Sequence, residues 1–401
     1  MRIALLLVLY FAQGLPYGFQ VIVLPAYLRA QGVSLTGIGF VGALSLPWML
    51  KALWAPWVDR YGSARFGQYR SWILPLQAGL ALTALCAAYV PAKELSLLLG
   101  LVFVMNLFAA TQDIAVDGLA VRILEPRELG RGNAIQVVGY KLGMLFGGGL
   151  LAWSSAYLGW RGLFLVMAGA MALVLLATAL FREPASVAAP DRASIGSILK
   201  RLLDAARARG SGLLLLAVAT YKTGEYLVSA MFKPFLVDSG YSLSHIGLWI
   251  GTYGMLASLA GSALGGELAR KLTLVDALIA AALLRVVPLL GCWWLTRSAV
   301  SAGAVIGVTC AEHFAGGLVT TLMFALMMAR VDKRIGATHY TLLASLEVFG
   351  KSPATWSSGL LAERLGYGGL FLLGTGLSLA FVLVPVAMRR QAGAVQPGGE
   401  A

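Results

Sequence analysis

Apolar residues fall in long runs separated by short polar turns, near 3–28, 36–57, 71–91, 96–121, 132–154 and 160–181, and again near 212–237, 244–267, 273–296, 300–329, 338–362 and 366–388. At about 1.5 Å per helical residue, runs of this length cross the roughly 30 Å of bilayer hydrocarbon. The pattern predicts an all-α polytopic membrane protein with twelve transmembrane helices in two sets of six. The first run, Ile3 to Leu28, is too long for a signal-peptide core and reads as a retained first helix. Between the sets the chain turns polar, with Pro184, Pro190 and a basic stretch holding Lys200, Arg201, Arg207 and Arg209. The expected organisation is an N-terminal six-helix bundle over 1–182, a cytoplasmic linker over 183–211 with a short surface helix near 195–207, a C-terminal bundle over 212–390 and a disordered tail over 391–401.

The two sets read as copies of one unit. Gly32-Val-Ser-Leu-Thr-Gly-Ile-Gly39 recurs as Gly240-Tyr-Ser-Leu-Ser-His-Ile-Gly247, 208 residues on, and Leu158-Gly-Trp-Arg-Gly-Leu-Phe164 recurs as Leu365-Gly-Tyr-Gly-Gly-Leu-Phe371, 207 on. One nearly constant offset across six helices implies duplication, and an even number of spans makes the copies parallel. The chain is thus expected to form two pseudo-symmetric six-helix bundles.

Composition agrees and adds an orientation. Apolar residues make up 59% of the 401 and charged residues 12%, with a mean hydropathy of +0.80, against roughly 45–50% apolar in soluble domains. The net charge of +13 lies mostly in loops and is no signature of nucleic acid. With the N-terminus inside, the inner segments carry twenty of the lysines and arginines and the outer ones five. Both termini are therefore expected in the cytoplasm, and the protein in the cell's inner membrane. Cys86, Cys292 and Cys310 have no metal-ligand spacing, and His245, His313 and His339 fall on different segments, so no metal site is expected.

Six basic residues lie within the apolar runs, namely Lys51, Lys141, Lys222, Lys233, Arg285 and Lys351. Acids at similar depth are Asp113, Asp117, Glu225, Glu312 and Glu347. Ionisable groups at that depth mark ion or substrate routes and need partners. Asp113 and Asp117 share one helix face, as do Lys222 and Glu225, and Glu347 and Lys351. Lys51 is expected to snorkel from the inner end of its helix. Gln13-Gly14-Leu15-Pro16-Tyr17-Gly18 is expected to interrupt the first helix at mid-depth, and the glycines from Gly139 to Gly149 to give the fifth a close-packing face. No GxSxG, HExxH, Walker A or dinucleotide loop is present. This argues against an enzyme or a nucleotide-driven pump, and leaves an ion gradient, with no cofactor, as the energy source.

Several stretches resemble the major facilitator superfamily. Asp59-Arg60-Tyr61-Gly62, ending at Arg70, is similar to its acidic-basic loop motif, and Glu267 stands at the equivalent place in the second half. Gln13-Gly-Leu-Pro16, Lys51-Ala-Leu-Trp-Ala-Pro-Trp-Val-Asp-Arg60, Thr111-Gln-Asp-Ile-Ala-Val-Asp117, Arg131-Gly132 with Gly139-Tyr-Lys-Leu-Gly143, and Tyr221-Lys-Thr-Gly-Glu225 resemble the AmpG-type muropeptide permeases. Acetyl-CoA transporters and some siderophore permeases are relatives of that branch. The departures are Lys141, where such permeases often carry arginine, and the end of the chain after twelve helices, where some have two more.

The resemblance implies a proton-coupled importer of a bulky anionic or amphipathic solute, such as a muropeptide or, alternatively, a ferric siderophore, acting as a monomer. An exporter has the same topology. A membrane sensor that binds without transporting has the same fold, and counterflow of labelled solute separates it from a carrier. The expected proton-coupling residues are Asp113, Asp117, Glu225 and Glu312. Gln13, Tyr17, Trp48, Gln112, Tyr140, Lys141, Tyr221, Lys222, Glu347 and Lys351 are expected to contact substrate, with Lys141 and Lys222 meeting its carboxylates or pairing with the acids. Asp59, Arg60, Arg70 and Glu267 are expected to gate at the inner face.

Overall fold

The computed structural model describes residues 2–63, 65–91, 94–123, 129–181, 204, 207, 210–298, 300–330 and 336–393. The expected linker and tail fall almost wholly outside them. Twelve helical spans run through the described residues, which contain no β-strand beyond an isolated bridge between Ser63 and Gly67. They are α1 (Arg2–Ala30), α2 (35–60), α3 (Arg70–Ala87), α4 (Leu95–Ile123), α5 (129–158), α6 (160–180), α7 (211–238), α8 (Leu243–Lys271), α9 (Leu274–Leu295), α10 (Ala302–Arg330), α11 (336–365) and α12 (367–393).

The internal repeat is visible in the backbone. Gly32 (φ 79°) and Gly240 (φ 89°) follow the first helix of each half, and Gly159 (φ 64°) and Gly366 (φ 69°) separate its fifth and sixth helices. These pairs stand at the offsets of the sequence repeats. A left-handed residue ends each helix without the Cβ penalty that other residues meet there.

Several spans depart from α geometry inside. Phe19–Val23 in α1, Leu145–Leu150 in α5 and Gly247–Gly254 in α8 are wound as π-helix, and α7 loosens into a turn at Tyr221 and Lys222. In α1 the irregularity comes after Gly18, not over 13–18 as expected. Gly14 and Gly18 serve close packing instead. A Cβ on Gly14 would stand 2.0 Å from the Tyr140 carbonyl oxygen, and one on Gly147 2.0 Å from that of Leu15. The two helices therefore meet backbone to backbone, Gly14 against Gly143 and Gly18 against Gly148.

The chain forms two compact units. The first holds 1–32, 41–189 and 236–255, and the second 33–40, 190–235 and 256–401. They follow the sequence halves, save that each includes a short segment of the other half. In the first unit, Arg29 grips Asp238 through Nε and Nη2 at 2.6 and 2.7 Å, and Ser244 donates to the Trp153 carbonyl. In the second, the Thr36 amide and hydroxyl both donate to the Glu363 carboxylate, at 2.9 and 2.6 Å. Phe19, Tyr27, Trp160 and Phe164 form an aromatic core in the first unit. Tyr221, Leu278, Leu322 and Met323 belong to the core of the second.

Candidate functional site

Each unit holds a cluster of intramembrane charge. In the first, Asp113 and Asp117 stand one turn apart on α4, as their spacing predicted, and their partners differ. Asp113 accepts from the Lys51 ammonium of α2, an ion pair with little solvent exposure on either side chain. Asp117 accepts from the Tyr10 hydroxyl of α1 at 2.8 Å and from the Gln136 amide of α5 at 3.3 Å. Lys51, expected to snorkel, is held in this pair. Its Nζ also lies over the Trp48 ring, 5.4 Å from the centroid. An ammonium placed against a carboxylate avoids the cost of isolating either charge in a medium that solvates neither.

Some of the expected contact residues connect to this pair through Trp48. Tyr17 packs edge-on against Trp48 at 6.3 Å between centroids and tilts against Tyr140 at 5.6 Å. Trp48 donates its indole N–H to Asn106 at 2.9 Å. Lys141 lies half-buried on α5, one residue from Tyr140. Gln13 and Gln112 are fully buried, and their side-chain amides have no hydrogen-bond partner among the described residues.

The second unit divides its charges into three groups. Lys222 of α7 and Lys351 of α11 both reach the same oxygen, Glu347 Oε1, at 3.2 and 3.0 Å. Both ammonium groups lie over the Tyr226 ring, at 5.7 and 4.7 Å from its centroid, and Lys222 also lies over Tyr221 at 5.4 Å. Glu225 takes the guanidinium of Arg285 from α9 at 3.0 Å, so Lys222 and Glu225 do not pair although they share a face. Arg285 is fully buried. Glu312 pairs with His313 at 2.8 Å, while Lys233 bonds the Ser229 carbonyl.

Of the residues expected at the gate, Arg70 and Glu267 have side-chain contacts among the described residues. Arg70 donates to the carbonyls of Thr178 and Ala179 at the end of α6, where a cation meets the helix dipole favourably. Glu267 pairs with Arg270 and Lys271 on its own exposed helix surface. Asp59 and Arg60 close the helix Ala55–Arg60, and their side chains lie outside the described residues.

Sequence reasoning missed Tyr10, Gln136, Asn106 and Tyr226. Tyr226 was within reach, because it follows Lys222 by four residues and so shares its face. The other three are ordinary residues of apolar or polar runs, and only packing between helices brings them to the charges. No group of histidine, cysteine, aspartate and glutamate suited to a metal ion occurs among the described residues.

Comparison with known proteins places this arrangement. The family model described as Major Facilitator Superfamily matches residues 6–352. The anhydromuropeptide permease of Escherichia coli (strain K12) is 30% identical over 395 residues, spanning 97% of this chain and 80% of the permease. The putative transporter AmpG 4 of Rickettsia conorii is 24% identical over 96% of this chain and 95% of its own length. Among solved structures, a D-xylose-proton symporter superposes with a TM-score of 0.74 at 12% identity, covering 97% of each chain.

Proposed function

The chain belongs to the major facilitator superfamily, with AmpG-type permeases among its relatives, and from that premise we propose that it is a proton-coupled importer of a bulky anionic solute of the muropeptide class. Membrane transport is what the family does. The solute class rests on the likeness to the E. coli permease, which is an anhydromuropeptide permease. The inner membrane, with both termini cytoplasmic, is the placement favoured by the loop charges. One chain carries both charge clusters, so a monomer suffices.

The observation that carries proton coupling is the unlike partnering of Asp113 and Asp117. Asp113 faces a fixed cation, Lys51, whereas the partners of Asp117 among the described residues, Tyr10 and Gln136, are neutral donors. Two carboxylates one turn apart repel each other, and a single ammonium offsets one of them. A proton arriving at the pair settles on the carboxyl the ammonium does not hold. Asp117 is then the carrier and Asp113 the anchor of Lys51. Glu225 and Glu312 hold Arg285 and His313 in the second unit and serve as positioning groups in this scheme.

The test is uptake of a labelled anhydromuropeptide by proteoliposomes under an imposed pH gradient. The proposal expects accumulation that collapses when a protonophore dissipates the gradient. Uptake indifferent to the protonophore would overturn the coupling, and the absence of any carrier-dependent uptake would overturn the solute class.

A further inference from the structure

Sorting the intramembrane charges by unit locates an imbalance that the whole-chain count only hints at. The first unit holds Lys51 and Lys141 with Asp113 and Asp117, two of each sign. The second holds Lys222, Lys233, Arg285 and Lys351 with Glu225, Glu312 and Glu347, one cation in excess. Arg285 has its own carboxylate in Glu225, and Glu312 has His313 beside it. Lys222 and Lys351 instead converge on one oxygen of one carboxylate, Glu347 Oε1. Two ammonium groups therefore share a single carboxylate oxygen.

Within this group the two ammonium groups are more accessible than the carboxylate they share. Arg285 is closed off from solvent, but the side chains of Lys222 and Lys351 keep 13% and 12% exposure while that of Glu347 has 6%. An incoming group would meet the ammoniums before the carboxylate. Lys222 also sits where α7 loosens into a turn, and irregular backbone at membrane depth is tolerated where it borders a cavity or packed protein. Tyr226 lies beneath both ammonium groups. Its ring holds each by cation–π attraction and offers an apolar floor beside them.

We infer that Lys222, Lys351 and Tyr226 form a subsite for a carboxylate of the transported solute, with Glu347 holding the two lysines in register while the site is empty. The inference rests on the transport reading and names the chemistry of one substrate contact. A carboxylate has two oxygens to present to two ammonium groups that already share the reach of one atom. Both lysines are point-charge donors, so the subsite selects for charge more than for planar geometry.

The experiment measures binding to the purified full chain by calorimetry, with two probe pairs: an anhydromuropeptide and an N-acyl dipeptide, each as the free acid and as its methyl ester. We expect the acid of at least one pair to bind about tenfold more tightly than its ester, the scale of one charge-assisted contact. Lys222→Gln and Lys351→Gln should each remove that preference, and Lys351→Arg should keep part of it. Melting of each variant near the wild-type temperature confirms folding, and Tyr226→Leu supplies a further variant, expected to weaken acid binding without altering a charge. Equal affinity for acid and ester in the wild type, no saturable binding of either acid, or variants that weaken acid and ester alike would overturn the subsite. Acid preference without proton-driven uptake would sink the transport reading and leave the subsite standing.

Discussion

Asp113 and Asp117 differ by one turn of helix, and the difference decides what each can do. Removing one partner from a buried ion pair strands the other charge, at a cost of about 3 kcal/mol or more, whereas removing both leaves a neutral gap. Lys51→Met and Asp113→Asn should each lower the melting temperature of the detergent-purified protein. The double variant should recover most of the loss, because Lys51 and Asp113 are each other's partner. A double variant no more stable than the worse single one would contradict the pairing. At this scale the sequence is half legible. It marks which residues are charged at depth, and it finds the same-helix pair Glu347 and Lys351. It does not find Lys51 with Asp113, Arg285 with Glu225 or Lys222 with Glu347, because those partners come from different helices. Spacing rules see only one helix at a time.

The helices themselves are far more legible, because their length and apolar content are set by the bilayer and not by each other. The spans stand within a few residues of the apolar runs, and the repeats return as left-handed glycines at matching places. What stays hidden is why a glycine is there. Gly14 and Gly18 look like hinges in sequence, yet they lie against α5 at backbone distance. This predicts a contrast between glycines. Gly147→Ala places a methyl on the Leu15 carbonyl oxygen and should sharply reduce the yield of folded protein, measured by gel filtration of the detergent extract. Gly169→Ala, where a Cβ meets nothing within 4 Å, should leave the yield unchanged. Similar yields for the two would remove the case for a tight α1–α5 crossing. At the α5–α6 corner, Gly159→Val forces a β-branched residue to a φ of 64° and should lower the melting temperature by several degrees.

For the whole molecule, duplication, loop charge and family converge on a carrier, while the choice of solute depends on side chains that sequence patterns only partly expose. The excess of basic residues on one side predicts that reporters fused at residue 393 and in the loop between α11 and α12 fall on opposite sides of the membrane, the former in the cytoplasm. A periplasmic signal at residue 393 would reverse the assigned orientation. The central claim is that Asp117 carries the coupled proton while Asp113 serves Lys51. It is tested most directly by comparing gradient-driven uptake with solute counterflow in proteoliposomes of Asp117→Asn. The predicted result is loss of accumulation under a pH gradient with counterflow retained, because a permanently neutral group lets the carrier exchange solute but not couple it. Gradient-driven accumulation at the wild-type level in Asp117→Asn would contradict the account.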